Sequence, residues 1–454
     1  MIDIREDLSA GVLVPKIRRV FEQSARAIRL LNNSWNASAG APVFTVNGRY
    51  TSRGWTEWTQ GFQFGAEILQ FDATGDHTFL EQGRRHVLDY MAPHVTHTGV
   101  HDHGFNNVST YGNLLRLMDE GRIEETAWER EFYKLALRSS GAVQAARWTP
   151  IRDGGFIYSF NGPHSLFVDT IRSLRALAVS HLLDHALMGE NDCRISLLGR
   201  AIDHARATAR YSIYYGEGRD AYDIYGRTAH ESIFNTNDGN YRCPNSQQGY
   251  SPFSTWTRGL GWAMCGFAEQ LEFLSALPDS GLEPFGGRST IEPVLRRAAI
   301  ATCDFYLEHT PTDGVPYWDT GAPNLHRLGD WAAKPADPFN PHEPVDSSAA
   351  AIAAQGLLRL GRYLNEKRYW QAGLTVCNTI FDVPYLEMNG SRDGLLLHSV
   401  YHRPNGWDAT GRDGVPRGEA CMWGDYHLRE VALYLLRAAE NQPYLTFWST
   451  PKTA

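Results

Sequence analysis

The chain has 454 residues, and 43 Lys plus Arg against 51 Asp plus Glu leave a formal net charge of −8. That balance argues against a nucleic-acid binder, which needs a basic stripe to displace phosphate counterions. With 43% hydrophobic and 21% charged residues the composition is that of a globular chain, not a disordered one.

No run approaches the length of a membrane helix. The start, MIDIREDLSAG, lacks the basic opening and apolar stretch of a signal peptide. The six cysteines are scattered, with no CxxC and no metal-type spacing. Together these features predict a cytoplasmic enzyme with reduced thiols.

Helical periodicity dominates from the start. Ile17, Val20, Phe21, Ile28 and Leu31 mark a first apolar face, and Val108, Tyr111, Leu115 and Met118 another. Ile171, Leu174, Ala178 and Leu182 follow, and Trp256, Leu260, Met264, Phe267, Leu271 and Leu274 continue one long stripe. In chain order, helices are predicted near 14–32, 58–74, 78–92, 104–120, 125–145 and 163–187. The second half adds 193–210, 254–276, 290–309, 346–363, 366–382 and 423–440. Strand signals, such as GFIYSF at Gly155–Phe160, are confined to connections.

Twelve helices with short returns make six hairpins, which close into an (α/α)6 barrel or stack as an open solenoid. The barrel is the expected fold: an all-α single domain over 1–454, with short β segments in its loops. Hairpins too irregular in length for a repeat array disfavour a helical-repeat binding scaffold. Because successive helices run antiparallel, every even-numbered helix starts at one end of the molecule. The unusual residues collect at those starts: Trp58, His101–Phe105, Asp169, Ser254–Trp262, Asp346–Ser348 and Gly424–Tyr426. The connections into the last three are about 36 to 43 residues long, a length that usually signals function. A funnel lined by helix N-termini, favouring an anionic ligand, is the resulting expectation.

Four segments carry candidate chemistry. In HDHGF (101–105), Asp102 reads first as a helix N-cap and second as a catalytic acid. His101 and His103 could serve as metal ligands, but no third ligand lies at typical spacing. Asp169 is flanked by Leu166, Phe167, Val168 and Ile171, and such surroundings should raise its pKa toward that of a general acid. In QGYSPFSTWTRGLGW (248–262), Arg258 and Trp262 lie four apart on one face, a guanidinium and an indole suited to a sugar acid. Asp346, before an Ala-rich helix, reads as an N-cap first and a site residue second. The chain has no P-loop, GxGxxG, GxSxG or HExxH.

Taken together, these motifs resemble the unsaturated glucuronyl hydrolases of glycoside hydrolase family 88, with the unsaturated rhamnogalacturonyl hydrolases close behind. The pieces that carry the resemblance are TQGFQFG after Trp58, HDHGF, VDTIRSL (168–174), QGYSPFSTWTRGLGW, VPYWD (315–319), DSSAAAIAAQGLLRL (346–360) and GDYH (424–427). They stand in family order over nearly the whole chain. The resemblance implies an (α/α)6 barrel that acts on the 4,5-unsaturated uronic acid left by polysaccharide lyases. It also implies hydration of the C4=C5 vinyl ether, with no metal or organic cofactor. By match to the family motifs, Asp169 is the acid/base and Asp102 the second essential Asp. His230, Gln248, Arg258 and Trp262 fall at substrate-binding positions, and Trp58 matches a stacking aromatic.

Two departures stand out. Arg172 and Arg175 occupy positions where the family has apolar residues, and Ala420-Cys421-Met422 lacks the Ser expected for sulfated substrates. The expected partner is an unsaturated uronate-containing di- or oligosaccharide, with neither nucleic acid nor membrane, for a monomer or small homo-oligomer. The alternatives are a rhamnogalacturonyl specificity or, in another class, a sugar epimerase using His101, His103 and His230.

Overall fold

The computed structural model describes residues 1–53, 57–443 and 445–448. Among these residues, twelve principal helices follow the predicted order. They are α1 (Ala10–Ser34), α2 (Gln60–Thr74), α3 (His77–Tyr90), α4 (His103–Asn106, a π-turn at Val108–Gly112, then Asn113–Asp119) and α5 (Ala127–Ala146). Next come α6 (Thr170–Ser173 with Arg175–Leu182), α7 (Leu197–Tyr211), α8 (Thr257–Ala276) and α9 (Arg288–His309). The last three are α10 (Ser347–Leu364), α11 (Lys367–Ile380) and α12 (Met422–Ala439).

Burial sorts these helices into two layers. The even-numbered helices are buried on nearly every face; all but the last residues of α10 are covered. Such helices must be interior. Each packs on the next, α2 on α4, α4 on α6, α6 on α8, α8 on α10 and α10 on α12, and α12 packs back on α2. The inner ring is therefore closed, as a barrel requires and an open solenoid does not. The odd-numbered helices are amphipathic and lie outside. In α1, Leu13, Ile17, Val20, Phe21, Ile28 and Leu31 face inward while intervening positions meet solvent. Ser9 accepts from the Val12 N–H to begin α1, and Asp346 accepts from Ser348 and Ala349 N–H groups to begin α10.

Among the described residues, the strands decorate the loops in four small antiparallel sheets. Of these, β1 (Ser165–Phe167) pairs with β2 (Glu231–Phe234), which pairs with β3 (Tyr241–Asn245). This corrects the helix expected over 163–187. Its first part is strand, and only Thr170–Ser173 and Arg175–Leu182 are helical. Beyond them Ala186–Met188 is again strand. Pairing with a partner some 65 residues away overrides the local apolar spacing, as β structure commonly does. No helix among the described residues is long and apolar enough to cross a membrane.

Candidate active site

The starts of the even-numbered helices do converge. His101 and Asp102 lead into α4 and Asp169 leads into α6. The His101 Nε2 atom lies 3.4 Å from Asp169 Oδ1 and 3.6 Å from Asp102 Oδ1. All three groups are buried, at 1%, 6% and 8% exposure for His101, Asp102 and Asp169. Asp102 occupies the N-cap position of α4, yet its side chain makes no capping hydrogen bond. The capping expectation is thus corrected: the carboxyl faces His101 instead of the helix amides. Neither ring nitrogen of His101 makes a hydrogen bond of good geometry, and Asp169 Oδ1 makes none.

The electrostatics of this trio separate its two acids. Burial pushes Asp102 up to about 6, helped by the negative charge of Asp169 and opposed by His101. Burial pushes Asp169 up as well, but the adjoining His101, followed by His230 and Arg258, outweighs it and holds the carboxyl below its ordinary range. The apolar flanks of Asp169 therefore do not set its pKa. Leu166, Phe167, Val168 and Ile171 lie in the core, while the carboxyl meets His101. His101 is itself raised, its two carboxylates overcoming burial. Groups pushed apart in this way are the usual basis for dividing acid and base roles.

The β1–β2 pairing brings His230 to the same place, because the Val168 N–H donates to the His230 carbonyl at 2.9 Å. The ring's Nδ1 accepts from the Gln247 and Gln248 N–H groups at 3.0 and 3.3 Å. That pattern assigns the proton to Nε2, which is buried and has no hydrogen-bond partner. Burial lowers His230 to about 3, so the ring is neutral and offers one N–H. Phe167 and Trp256 flank it, with ring centroids at 4.5 and 4.6 Å.

Arg258, from the first turn of α8, is 2% exposed. Its Nη1 meets Asp346 Oδ2 at 2.9 Å and also the Val400 carbonyl. Its Nη2 donates to Gln248 Oε1 at 2.8 Å and the Tyr401 carbonyl at 2.6 Å. The guanidinium lies over the rings of Trp256 and Trp423, at 4.6 and 4.9 Å. Asp346 is thus both the cap of α10 and the counter-charge of Arg258. Gly259 follows Arg258 because a Cβ there would stand 2.5 Å from the Trp256 ring. Trp58 stacks on Trp423 at 4.9 Å and 25° and remains half-buried.

Two residues are placed elsewhere. Trp262 is 2% exposed and packs one turn deeper between Phe105 and His427, with centroids at 4.8 and 4.9 Å. His103 has both ring nitrogens engaged, with Ser140 Oγ and the His97 carbonyl, each at 2.9 Å. A metal pair or an epimerase pair built from His101 and His103 is accordingly not assembled. Sequence reasoning passed over Trp423 and Phe160. Phe160 stacks over His101 at 6.0 Å and 21° and stays 40% exposed. The signal for it was an aromatic at the end of the GFIYSF strand segment.

Comparison with known proteins follows the same line. No family model matches the chain. The unsaturated glucuronyl hydrolase of Formosa agariphila is 24% identical over 378 residues, covering 83% of this chain and 79% of its own. That of Bacillus sp. (strain GL1) is 26% identical over 404 residues, covering 86% and 89%. The unsaturated chondroitin disaccharide hydrolase of Streptococcus pyogenes serotype M1 is 24% identical over 430 residues, covering 92% and 90%. The chain is a homologue of the unsaturated glucuronyl hydrolases. Among solved structures, an unsaturated glucuronyl hydrolase specific for heparin superposes with a TM-score of 0.72 at 18% identity, covering 94% of this chain and 98% of its own. The Bacillus sp. GL1 hydrolase does so at 0.67 and 22% identity, covering 96% and 100%. The fold of this glycoside hydrolase homologue is therefore the all-α barrel expected from its periodicity.

Proposed function

We propose that the enzyme releases a 4,5-unsaturated uronic acid from the non-reducing end of lyase-generated oligosaccharides, and that it works by hydrating the C4=C5 vinyl ether. The observation that carries this reading is the buried trio of His101, Asp102 and Asp169, whose two acids are shifted in opposite directions and whose His101 ring nitrogens and Asp169 Oδ1 lack hydrogen-bond partners. Protonated Asp169 delivers its proton to C4, and the resulting carboxylate takes a proton from the water that adds at C5. The product is a hemiketal, which opens and expels the remaining sugar.

A uronate carboxylate arriving beside Asp169 adds negative charge and excludes water, and both effects raise Asp169 toward the protonated form the first step needs. Asp102, already at about 6 through burial, keeps that proton within reach by way of His101. The unpaired Nε2–H of His230 is a donor to the sugar acid, and Gln248 and Arg258 shape the wall beside it. Trp58, half-buried on Trp423, offers a flat apolar face to the sugar ring. Trp262 supports this wall from below through Phe105. A cytoplasmic setting agrees with six cysteines that are all unpaired thiols.

The test is loss of unsaturated-uronate ultraviolet absorbance across chondroitin-, heparin- and pectin-derived disaccharides, run in deuterium oxide. Hydration places one deuterium on C4 of the released acid at the rate of sugar release. Direct glycoside hydrolysis by an acid and a second carboxylate would leave C4 unlabelled. Absence of decay on every substrate overturns the activity, and an unlabelled C4 overturns the mechanism alone.

A further inference from the structure

The start of α6 carries three fully buried polar side chains, Arg172, Ser173 and Arg175, each at 0% exposure. Two of them, Ser173 and Arg175, are directed at the helix that bears the other acid. Ser173 Oγ donates to the His101 carbonyl at 2.7 Å and accepts from the Gly104 N–H at 3.0 Å. Gln144 braces the same spot, donating to the His101 carbonyl at 2.7 Å and to Ser173 Oγ at 3.0 Å. Arg175 Nε donates to the Gly104 carbonyl at 2.8 Å, and its Nη2 donates to Ser109 Oγ at 2.9 Å. Nothing can come between the two backbones: a Cβ on Gly104 would lie 2.2 Å from the Ser173 carbonyl oxygen.

The main chain on both sides of Asp102 is therefore gripped by the helix that begins at Asp169. That helix is fixed in turn. Arg172 reaches Glu430 of α12 at 2.8 Å, Gln355 of α10 at 3.0 Å and Glu269 of α8 at 2.9 Å. Arg175 reaches the other oxygen of Glu430 at 3.4 Å. Buried ion pairs are weak stabilisers compared with apolar side chains of the same size, so stability alone does not account for this array. What it does provide is a fixed geometry.

We infer that Ser173 and Arg175 are positioning residues that set the separation of Asp102 and Asp169 by pinning the 101–104 main chain to α6. The inference rests on the role of Asp169 in the proposed function. Misplacement of a reacting group by about 1 Å costs on the order of a hundredfold in rate. Ser173→Ala should therefore lower kcat about tenfold or more while KM stays within about twofold. The pH profile of kcat should shift as well, because the coupling among Asp102, Asp169 and His101, with Arg147, His230 and Arg258 nearby, depends on their spacing.

Arg175→Lys keeps a charge for Glu430 but loses the Nε donor to Gly104. It should show the same signature more weakly, and it serves if the alanine variant folds poorly. Kinetics on an unsaturated disaccharide, with melting temperatures measured alongside, read all of this. An active wild type beside variants with unchanged kcat and pH profile overturns this inference alone. So does an activity loss that tracks the unfolded fraction while the pH profile stays put. An inactive wild type overturns the proposed function, and this inference with it.

Discussion

At the end of the ring where the even-numbered helices finish, Asp72 of α2 is 2% exposed and held by Arg116 and Arg437 at 2.7 and 2.8 Å, with Arg122 at 3.1 Å. Arg437 also meets Glu120 at 2.7 Å. At the end where the helices begin, Asp169 is nearly as buried, yet its nearest cation is a histidine at 3.4 Å and its Oδ1 makes no hydrogen bond. Burial opposes ionisation of Asp72, but the three arginines overcome it and keep the carboxylate charged. The chemical groups are the same; the difference is whether the protein supplies their partners. A satisfied cluster is complete and structural, and basic residues there also suit the negative ends of helix dipoles. An unsatisfied one is an unfinished set of hydrogen bonds, and in a native protein such a set calls for an explanation such as a ligand.

The sharpest way to break this contrast is at the two aspartates. Asp169→Asn should lower kcat about a thousandfold, since an amide of the same shape cannot transfer the proton. Its melting temperature should fall somewhat, because His101, His230 and Arg258 favour the charge that the substitution removes. Substantial residual turnover in the folded variant would remove Asp169 from the chemistry. Asp72→Asn should do the reverse. It leaves buried arginines short of a partner and should cost about 3–5 kcal/mol of stability, read by urea denaturation, while the folded fraction keeps its kcat.

A smaller effect is expected at Arg258. Arg258→Lys retains the charge but cannot reach Asp346, Gln248 and the carbonyls of Val400 and Tyr401 together. A loss of about tenfold in kcat/KM should follow. Kinetics equal to wild type would show that the wall does not depend on the fork.

A further effect is in the pH dependence of stability. Asp102 is raised to about 6 from the ordinary carboxyl value of 3.8. Its contribution is therefore fully present below about pH 4 and is lost as pH rises through about 6. Relative to Asp102→Asn, the wild type should lose up to about 3 kcal/mol across that window. Urea midpoints at several pH values check this, and a constant difference between the two proteins would contradict the assignment.

Most of the ring was legible because interior helices leave a strong imprint: the stripe from Trp256 to Leu274 needs only local spacing to be read. The site was legible in part. The positions of Asp102 and Asp169 at helix starts follow from antiparallel hairpins, whereas their partners do not. His101 adjoins Asp102 in sequence but meets Asp169 only through the fold. Asp346 meets Arg258 from 88 residues away. The strand at Ser165–Phe167 was hidden for the same reason, since its partner Glu231–Phe234 lies far along the chain. The sign of the Asp169 shift was missed because flanking residues in sequence are not the residues that surround a carboxyl in space.

Closure of the inner ring has a consequence for how the chain reaches its native state. α2 is among the first helices to leave the ribosome and α12 is the last of the twelve, yet each is the other's neighbour. Until residues 422–439 emerge, the flanks of α2 and α10 that α12 covers have nothing to pack against. Contacts between the ends of a long chain form slowly, and exposed apolar surface in such an intermediate favours aggregation. Truncation within α12 should therefore yield an insoluble chain rather than a shortened enzyme with a weakened site.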